Sequence, residues 1–151
     1  MAGAHAHLTG IGFDLPGVRP DFETYVGAHN LSSRVSFRDG DFFEDSLPRA
    51  DVLIMGRILH DWSIARRREL IAKAYAALPD GGALLIYETI IDDERRQNAF
   101  GLLMSLNMLI ETREGADYTG SDCMGWMKEA GFRETRVERL LGSDSMIVGI
   151  K

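Results

Sequence analysis

A chain of 151 residues, of which 45% are hydrophobic and 26% charged, has the size and composition of one ordinary globular domain and is long enough to bury a core. Its net charge of −6 argues against a surface for nucleic acid or an anionic membrane, because both require a basic stripe. No apolar stretch approaches the roughly 20 residues of a membrane-spanning helix, and the first residues lack the pattern of a signal peptide.

The cysteine and histidine content limits the chemistry further. The single cysteine, Cys123, forms no internal disulfide, which predicts a reducing, cytoplasmic environment. The four histidines lack ligand spacing and there is no second thiolate, so the sequence predicts no zinc site. Two short basic runs, 66–68 and 95–96, are assigned to solvated helix faces or lie beside acidic residues.

Strand and helix patterns alternate along most of the chain. Apolar residues alternate or run unbroken in the predicted strands, recur at helical spacing in the predicted helices, and are separated by Pro and Gly. The predicted strands are 8–14, 34–38, 52–55 and 83–87, and the predicted helices are 20–30, a segment capped by Ser63 that ends near Leu78, 100–110, and 121–130 closed by Gly131. The tail, at 135–141 and 145–150, predicts a hairpin.

This order of elements predicts an α/β fold, a Rossmann-like and mostly parallel sheet that ends in an antiparallel hairpin. Folds of this class bind their ligand at the carboxyl ends of the parallel strands. No repeat or linker interrupts the pattern, so residues 1–151 are expected to form one domain.

Two candidate cofactor contacts follow the first two strands. Asp14 ends the first strand, where an acidic group can accept hydrogen bonds from ribose hydroxyls, although a carboxylate before Pro16 can equally cap a turn. Asp41 and Phe42 follow the second strand, where they could take the amino group and ring of an adenine. The alternative for Phe42 and its neighbour Phe43 is a place in the core.

The candidate base is His60, in the segment His60-Asp61-Trp62 between a buried strand and a helix. A lone histidine is more often structural than catalytic, but this loop lies at the edge where ligands bind. Glu88 ends the next strand, and Asp117 lies in a later polar loop. A carboxylate bonded to one imidazole nitrogen raises the basicity of the other. Glu88 is expected to orient the imidazole in preference to Asp61.

Together these residues resemble the plant-type S-adenosylmethionine-dependent O-methyltransferases and their bacterial relatives, which methylate polyketide, carotenoid and phenolic hydroxyls. The matching stretches keep their order over nearly the whole chain. They are 12–16 (GFDLP), 34–35 (RV), 40–43 (GDFF), 59–62 (LHDW), 77–79 (ALP), 81–82 (GG), 87–88 (YE) and 129–132 (EAGF).

The resemblance implies a role for each matching position. Asp14 and its neighbour Leu15 would contact the ribose side of S-adenosylmethionine, and Asp41 and Phe42 its adenine. His60 would be the catalytic base, with Glu88 and Asp117 as the acidic residues that flank it. Family members often carry a cofactor-contacting lysine just before the His-Asp-Trp segment, and Gly56-Arg57 takes that place here.

The resemblance also implies elements that these 151 residues lack. Family members carry an N-terminal helical dimerisation domain and a first strand that ends in a Gly-rich loop against the cofactor. In the complete fold that strand lies between the strand ending at Asp14 and the strand ending near Met55. We therefore expect either that these two strands pair directly, or that another chain fills the gap, as a second copy or a complementing strand.

The function expected from the resemblance is methyl transfer to a hydroxyl of a small aromatic or polyketide-like acceptor, without a metal. The alternative is a shortened, inactive homologue that acts through protein contacts, since the Gly-rich loop is missing. A nicotinamide-dependent dehydrogenase has less support, because it requires a similar Gly-rich turn.

Overall fold

The computed structural model describes residues 1–151 and divides them into two compact units, Met1–Pro48 and Arg49–Lys151. The first unit contains β1 (Gly10–Asp14), α1 (Arg19–Ala28) and β2 (Val35–Asp39). The two strands pair in parallel from Gly10 opposite Val35 to Asp14 opposite Asp39. A Cβ on Gly12 would lie 2.3 Å from the Phe22 ring of α1, so glycine is what lets the helix pack closely on β1.

The second unit contains a four-stranded sheet and three helices. Its elements are β3 (Val52–Gly56), α2 (Ile64–Ala77), β4 (Ala83–Glu88), α3 (Ala99–Glu111), α4 (Gly120–Ala130), β5 (Glu134–Arg139) and β6 (Ser145–Ile150). The strand order is β3-β4-β6-β5, with β3 and β4 parallel and the other two pairs antiparallel. The parallel pair places the ends of β3 and β4 at one edge of the sheet, where the candidate base lies.

The core of the second unit contains the carboxylate of Glu88. Leu84, Ile86 and Glu88 alternate along β4 and all three are 0% exposed, because alternate side chains of a strand point to the same face. Leu70 and Ile71 of α2 are buried as well. Glu88 therefore continues an apolar row of the core, a location that requires hydrogen-bond partners for its carboxylate.

Of the three helices of the second unit, two begin with a side-chain cap. Thr119 and Asp122 form a reciprocal capping box at the start of α4. Asn98 accepts the N–H of Gly101 at the start of α3. Ser63 occupies the N-cap position of α2 as predicted, but its side chain makes no capping hydrogen bond.

The predicted elements and the α/β class are confirmed, but the direct pairing of the first and third strands is wrong. β1 and β3 belong to separate sheets, and β3 pairs only with β4. Val52 and Ile54 of β3 are 43% and 48% exposed. The outer edge of β3 thus keeps backbone groups without a strand partner. None of the helices combines the length and the apolar character needed to cross a membrane.

Candidate active site

The carboxylate of Glu88 anchors the loop that carries His60. Its Oε1 accepts three consecutive backbone N–H groups, from Ile58 at 3.0 Å, Leu59 at 2.7 Å and His60 at 3.4 Å. A short 3₁₀ turn, Leu59–Asp61, follows from this arrangement. Burial raises the pKa of Glu88, and these N–H groups act against that increase by stabilising the ionised form.

The imidazole of His60 lies between two carboxylates. Its Nδ1 is 3.2 Å from Oδ1 of the buried Asp117, and its Nε2 is 3.5 Å from Oδ1 of the more exposed Asp61. Sequence reasoning expected Glu88 to orient the ring. The structure gives that contact to Asp117, because the oxygen of Glu88 that points toward this loop is taken up by backbone N–H groups.

This environment raises the pKa of His60 above its ordinary value. The hydrogen bond that His60 donates to Asp117 is the largest cause, and the negative charges of Glu88 and Asp61 add to it, while burial acts in the opposite direction. With its Nδ1–H donated to Asp117, the neutral ring leaves Nε2 as the acceptor. The arrangement suits a general base whose tautomer is held by a buried carboxylate.

The same contacts predict a pH dependence of stability. Because the folded-state pKa of His60 exceeds its ordinary 6.5, the folded protein binds this proton more tightly than the unfolded chain. The stabilisation is fully present below about pH 6.5 and is lost as pH rises through the folded-state pKa. We expect His60→Gln to remove this decline when urea unfolding is measured from pH 5.5 to 9. An equal decline in wild type and variant would contradict the prediction.

Two buried carboxylate oxygens near His60 lack a hydrogen-bond partner, namely Glu88 Oε2 and Asp117 Oδ2. The hydroxyl of Tyr118 lies close enough to Glu88 to lower the pKa of that carboxyl. Tyr118 Oη and Glu88 Oε2 nevertheless form no hydrogen bond. Ligand atoms of His60, Glu88 and Asp117 lie within 4.8 Å of one another, close enough to surround a cation. A cation would compete with the bonds that Glu88 Oε1 and His60 Nδ1 already make, so we interpret the cluster as a hydrogen-bonded base.

Arg67 is a component of this region that sequence reasoning assigned wrongly to a solvated helix face. It is 3% exposed and donates from Nε to the carbonyl oxygen of Leu59 at 2.8 Å. The sequence carried a signal for this burial, because Arg67 shares one helix face with the apolar residues Leu70, Ile71 and Ala74. Its place in a run of three arginines favoured the assignment to a solvated face instead.

The expected ribose and adenine contacts lie at the carboxyl ends of the adjacent strands β1 and β2. Asp14 is exposed, and its Oδ1 accepts the N–H of Leu15 at 2.7 Å. Asp41 accepts the N–H of Phe43, and the rings of Phe42 and Phe43 meet edge to face at 4.8 Å. The exposed carboxylate of Asp14 and the half-buried ring of Phe42 thus lie at the same sheet edge, and their contact with a nucleoside stays a prediction.

Gly56 and Arg57, at the end of β3, make contacts within the second unit. A Cβ on Gly56 would lie 2.0 Å from the Tyr87 ring. Arg57 has a positive φ of 54°, and its Nη2 donates to both carboxylate oxygens of Asp144, at 3.0 and 2.9 Å. Its guanidinium is therefore engaged by the β5–β6 turn, and the expected cofactor contact at Gly56-Arg57 stays a prediction.

Comparison with known proteins shows the family of the chain. A sequence model described as an O-methyltransferase domain matches residues 1–133. The chain belongs to this O-methyltransferase family. It is 45% identical over 148 residues to the tetracenomycin polyketide synthesis 8-O-methyl transferase TcmO of Streptomyces glaucescens, covering 98% of this chain and 44% of the relative.

Two further matches show the range of proteins that the chain resembles. The N,N-dimethyltransferase OxyT of Streptomyces rimosus is 36% identical over 153 residues, covering 100% of this chain and 44% of the relative. A crystal structure of human N-acetylserotonin methyltransferase in complex with SAM matches with a TM-score of 0.90 at 30% identity, covering 99% of this chain and 42% of that one. The family uses S-adenosylmethionine, and the chain spans less than half the length of these relatives.

Proposed function

We propose that this protein acts in S-adenosylmethionine-dependent methylation of a hydroxyl on a small aromatic or polyketide-like acceptor, with His60 as the general base. The observation that carries the proposal is the buried imidazole–carboxylate pair at the edge of the parallel strands, with Nδ1 of His60 3.2 Å from Asp117. A base of defined tautomer in that position suits removal of a hydroxyl proton during transfer.

The roles of the individual side chains follow from their contacts. Asp117 accepts the Nδ1–H and thereby leaves the lone pair of the neutral ring on Nε2, where the acceptor hydroxyl would arrive. Nε2 then takes the hydroxyl proton, and the resulting imidazolium lies between Asp117 and Asp61, which stabilise its charge. Glu88 fixes the backbone that carries the ring. The bound S-adenosylmethionine would supply the electrophilic methyl group.

The proposed cofactor contacts are those at the ends of β1 and β2. Asp14, beside Leu15, would accept hydrogen bonds from ribose hydroxyls, and Asp41 with Phe42 would hold the adenine. Gly56 and Arg57 are retained as candidate contacts at the end of β3. These contacts concern the nucleoside part of the cofactor, and a Gly-rich loop for the methionine part is not among these 151 residues.

Calorimetric titration with S-adenosylmethionine tests this function most directly. We expect measurable heat, together with a rise in the midpoint of thermal unfolding that increases with ligand concentration. Asp14→Asn should weaken binding, whereas Asp21→Asn, an acidic residue of α1, should leave it unchanged. Absence of both heat and thermal shift would instead support the alternative, an inactive homologue that acts through protein contacts.

The methyl group could be transferred to an oxygen or to a nitrogen of the acceptor, which gives two forms of the proposal. TcmO is named for O-methylation and OxyT for N,N-dimethylation, so both a hydroxyl and an amine occur among the relatives. A base that removes a proton from a neutral phenol favours oxygen, because an amine attacks through its free lone pair. Incubation with paired phenol and aniline acceptors, followed by mass spectrometry, distinguishes the two forms.

We also propose that the outer edge of β3 is covered by a strand from outside these 151 residues, either from a second copy or from another chain. The exposed Val52 and Ile54 and the unpaired backbone of this edge support the proposal. Light scattering should then give an assembly larger than one chain, and a stable monomer would contradict it. A cytoplasmic location is proposed on the grounds of the lone cysteine.

A further inference from the structure

Arg67 is a buried cation whose hydrogen bonds go to backbone carbonyls, and it makes no ion pair. Its Nε donates to the oxygen of Leu59 at 2.8 Å. Its Nη2 donates to the oxygen of His60 at 3.5 Å and, at closer range, to the oxygen of Ala116. A guanidinium offers donors in a fixed planar fork, which allows one side chain to reach several carbonyls at once.

These carbonyls belong to the two chain segments that carry the proposed base and its carboxylate partner. Leu59 and His60 form the turn after β3, and Ala116 directly precedes Asp117. The N–H of Ala116 also donates to the oxygen of His60 at 2.9 Å. Arg67 therefore reinforces the junction at which the imidazole and the carboxylate meet.

The peptide of His60 is held from two sides by an acidic and a basic side chain. Glu88 accepts the N–H groups of Leu59 and His60, and Arg67 donates to the carbonyl oxygens of the same two residues. The guanidinium is itself confined, because its central carbon lies 4.9 Å from the centre of the Tyr118 ring and 5.6 Å from that of Trp126.

We propose that Arg67 is a positioning residue that holds the segments carrying His60 and Asp117 in register, so that their imidazole–carboxylate bond is assembled before the acceptor arrives. The catalytic part of this inference rests on the proposed function of His60 as a base. The positional part concerns the geometry of the pair and is measurable without turnover.

A positioning role and a pure charge effect of Arg67 predict opposite changes in the pKa of His60 when Arg67 is replaced. The charged groups that act on its ring are Asp117, Glu88 and Asp61, and the cation of Arg67 is bound to the neighbouring carbonyl oxygens of Leu59 and His60. Removing a nearby positive charge favours the imidazolium and raises the pKa of His60. Loosening the hydrogen bond between His60 and Asp117 removes the largest cause of the raised pKa of His60 and therefore lowers that pKa. The direction of the change therefore separates the two roles.

The experiment measures the pKa of His60 by NMR in the chain labelled at histidine, with His60→Gln assigning its resonance among the four histidines. Arg67→Met removes the cation and the donors, and Arg67→Lys keeps the charge but loses the planar fork. The matched control is Arg68→Met, which removes a half-exposed arginine next in sequence that pairs with Glu129. Thermal unfolding of each variant is recorded in parallel.

We expect the His60 pKa to fall in Arg67→Met, to fall less in Arg67→Lys, and to stay unchanged in Arg68→Met. In the methyl-transfer assay, Arg67→Met should lower kcat by about 10²-fold through misplacement of the base, with the KM for S-adenosylmethionine unchanged.

A rise of the His60 pKa in Arg67→Met with no change in Arg67→Lys would overturn the proposal in favour of a charge effect alone. An unchanged pKa in both would also overturn it. Failure of both variants to fold, where Arg68→Met folds, would make Arg67 a residue of the fold as a whole and likewise overturn it. If the wild-type chain transfers no methyl group, the proposed function fails, while the NMR comparison still decides the positioning role.

Discussion

Replacing His60 with glutamine is expected to slow methyl transfer to an ordinary phenol by about 10²–10⁴-fold, the usual contribution of a positioned general base. Glutamine retains a polar side chain of similar length but accepts no proton at neutral pH. The KM for S-adenosylmethionine should change little, because His60 is proposed to act on the acceptor. Mass spectrometry of the methylated product measures the rate.

Two controls make the His60 result specific. His7→Gln replaces an exposed histidine of the first unit and should leave the rate unchanged. A phenol acidic enough to ionise without help should reduce the deficit of His60→Gln, because the base is then dispensable. Full activity of the variant on a phenol of normal acidity would show that His60 is not the base.

The pH profile offers a second reading of the same experiment. The base is active when Nε2 is unprotonated, so the wild-type rate should rise with pH through the His60 pKa, which Asp117 raises above the ordinary value of 6.5. His60→Gln should lose this rise. A profile with the same rise in both proteins would assign it to another group.

Replacing Glu88 with alanine is expected to lower the free energy of unfolding by about 3–4 kcal/mol, or the midpoint of thermal unfolding by about 6–16 °C. The substitution leaves the buried N–H groups of Ile58, Leu59 and His60 without their acceptor, and each unsatisfied buried group costs about 1–3 kcal/mol. Urea unfolding measures the change.

Glu88→Gln is the matched variant, since it keeps an oxygen for the N–H groups and has nearly the same shape. Its cost should stay within about 1 kcal/mol, because burial already disfavours the charged form of Glu88. Glu129→Ala, at the surface, should cost little. A loss below 1 kcal/mol in Glu88→Ala would mean that the loop does not depend on this carboxylate.

The raised pKa of Glu88 sets the sign of a pH effect that the glutamine variant should remove. Because the folded state binds this proton more tightly than the unfolded chain, the contribution of Glu88 to stability declines as pH rises from its ordinary value of 4.5 through its folded-state pKa. Subtracting the Glu88→Gln curve from the wild-type curve should isolate that decline.

Local sequence patterns were sufficient for the secondary structure, and they singled out His60, Glu88 and Asp117, which the structure brings close together. The alternation of strand and helix, the strands ending at Gly56 and Glu88, and the segment His60-Asp61-Trp62 all depend on side-chain periodicity, which neighbouring residues determine. For the same reason α4 was predicted to end at Gly131, where φ is 112° and glycine is favoured.

The tertiary structure alone decided which side chains meet. Asp117 lies 57 residues from His60, and the packing of the segment between α3 and α4 against the β3 turn brings it to Nδ1, whereas Glu88 turns to the backbone. Arg67 belongs to a run of three arginines, and it is buried because α2 packs against α4 and the segments of Leu59 and Ala116. Periodicity assigns a residue to a face, but the partner that it finds there depends on contacts between segments distant in sequence.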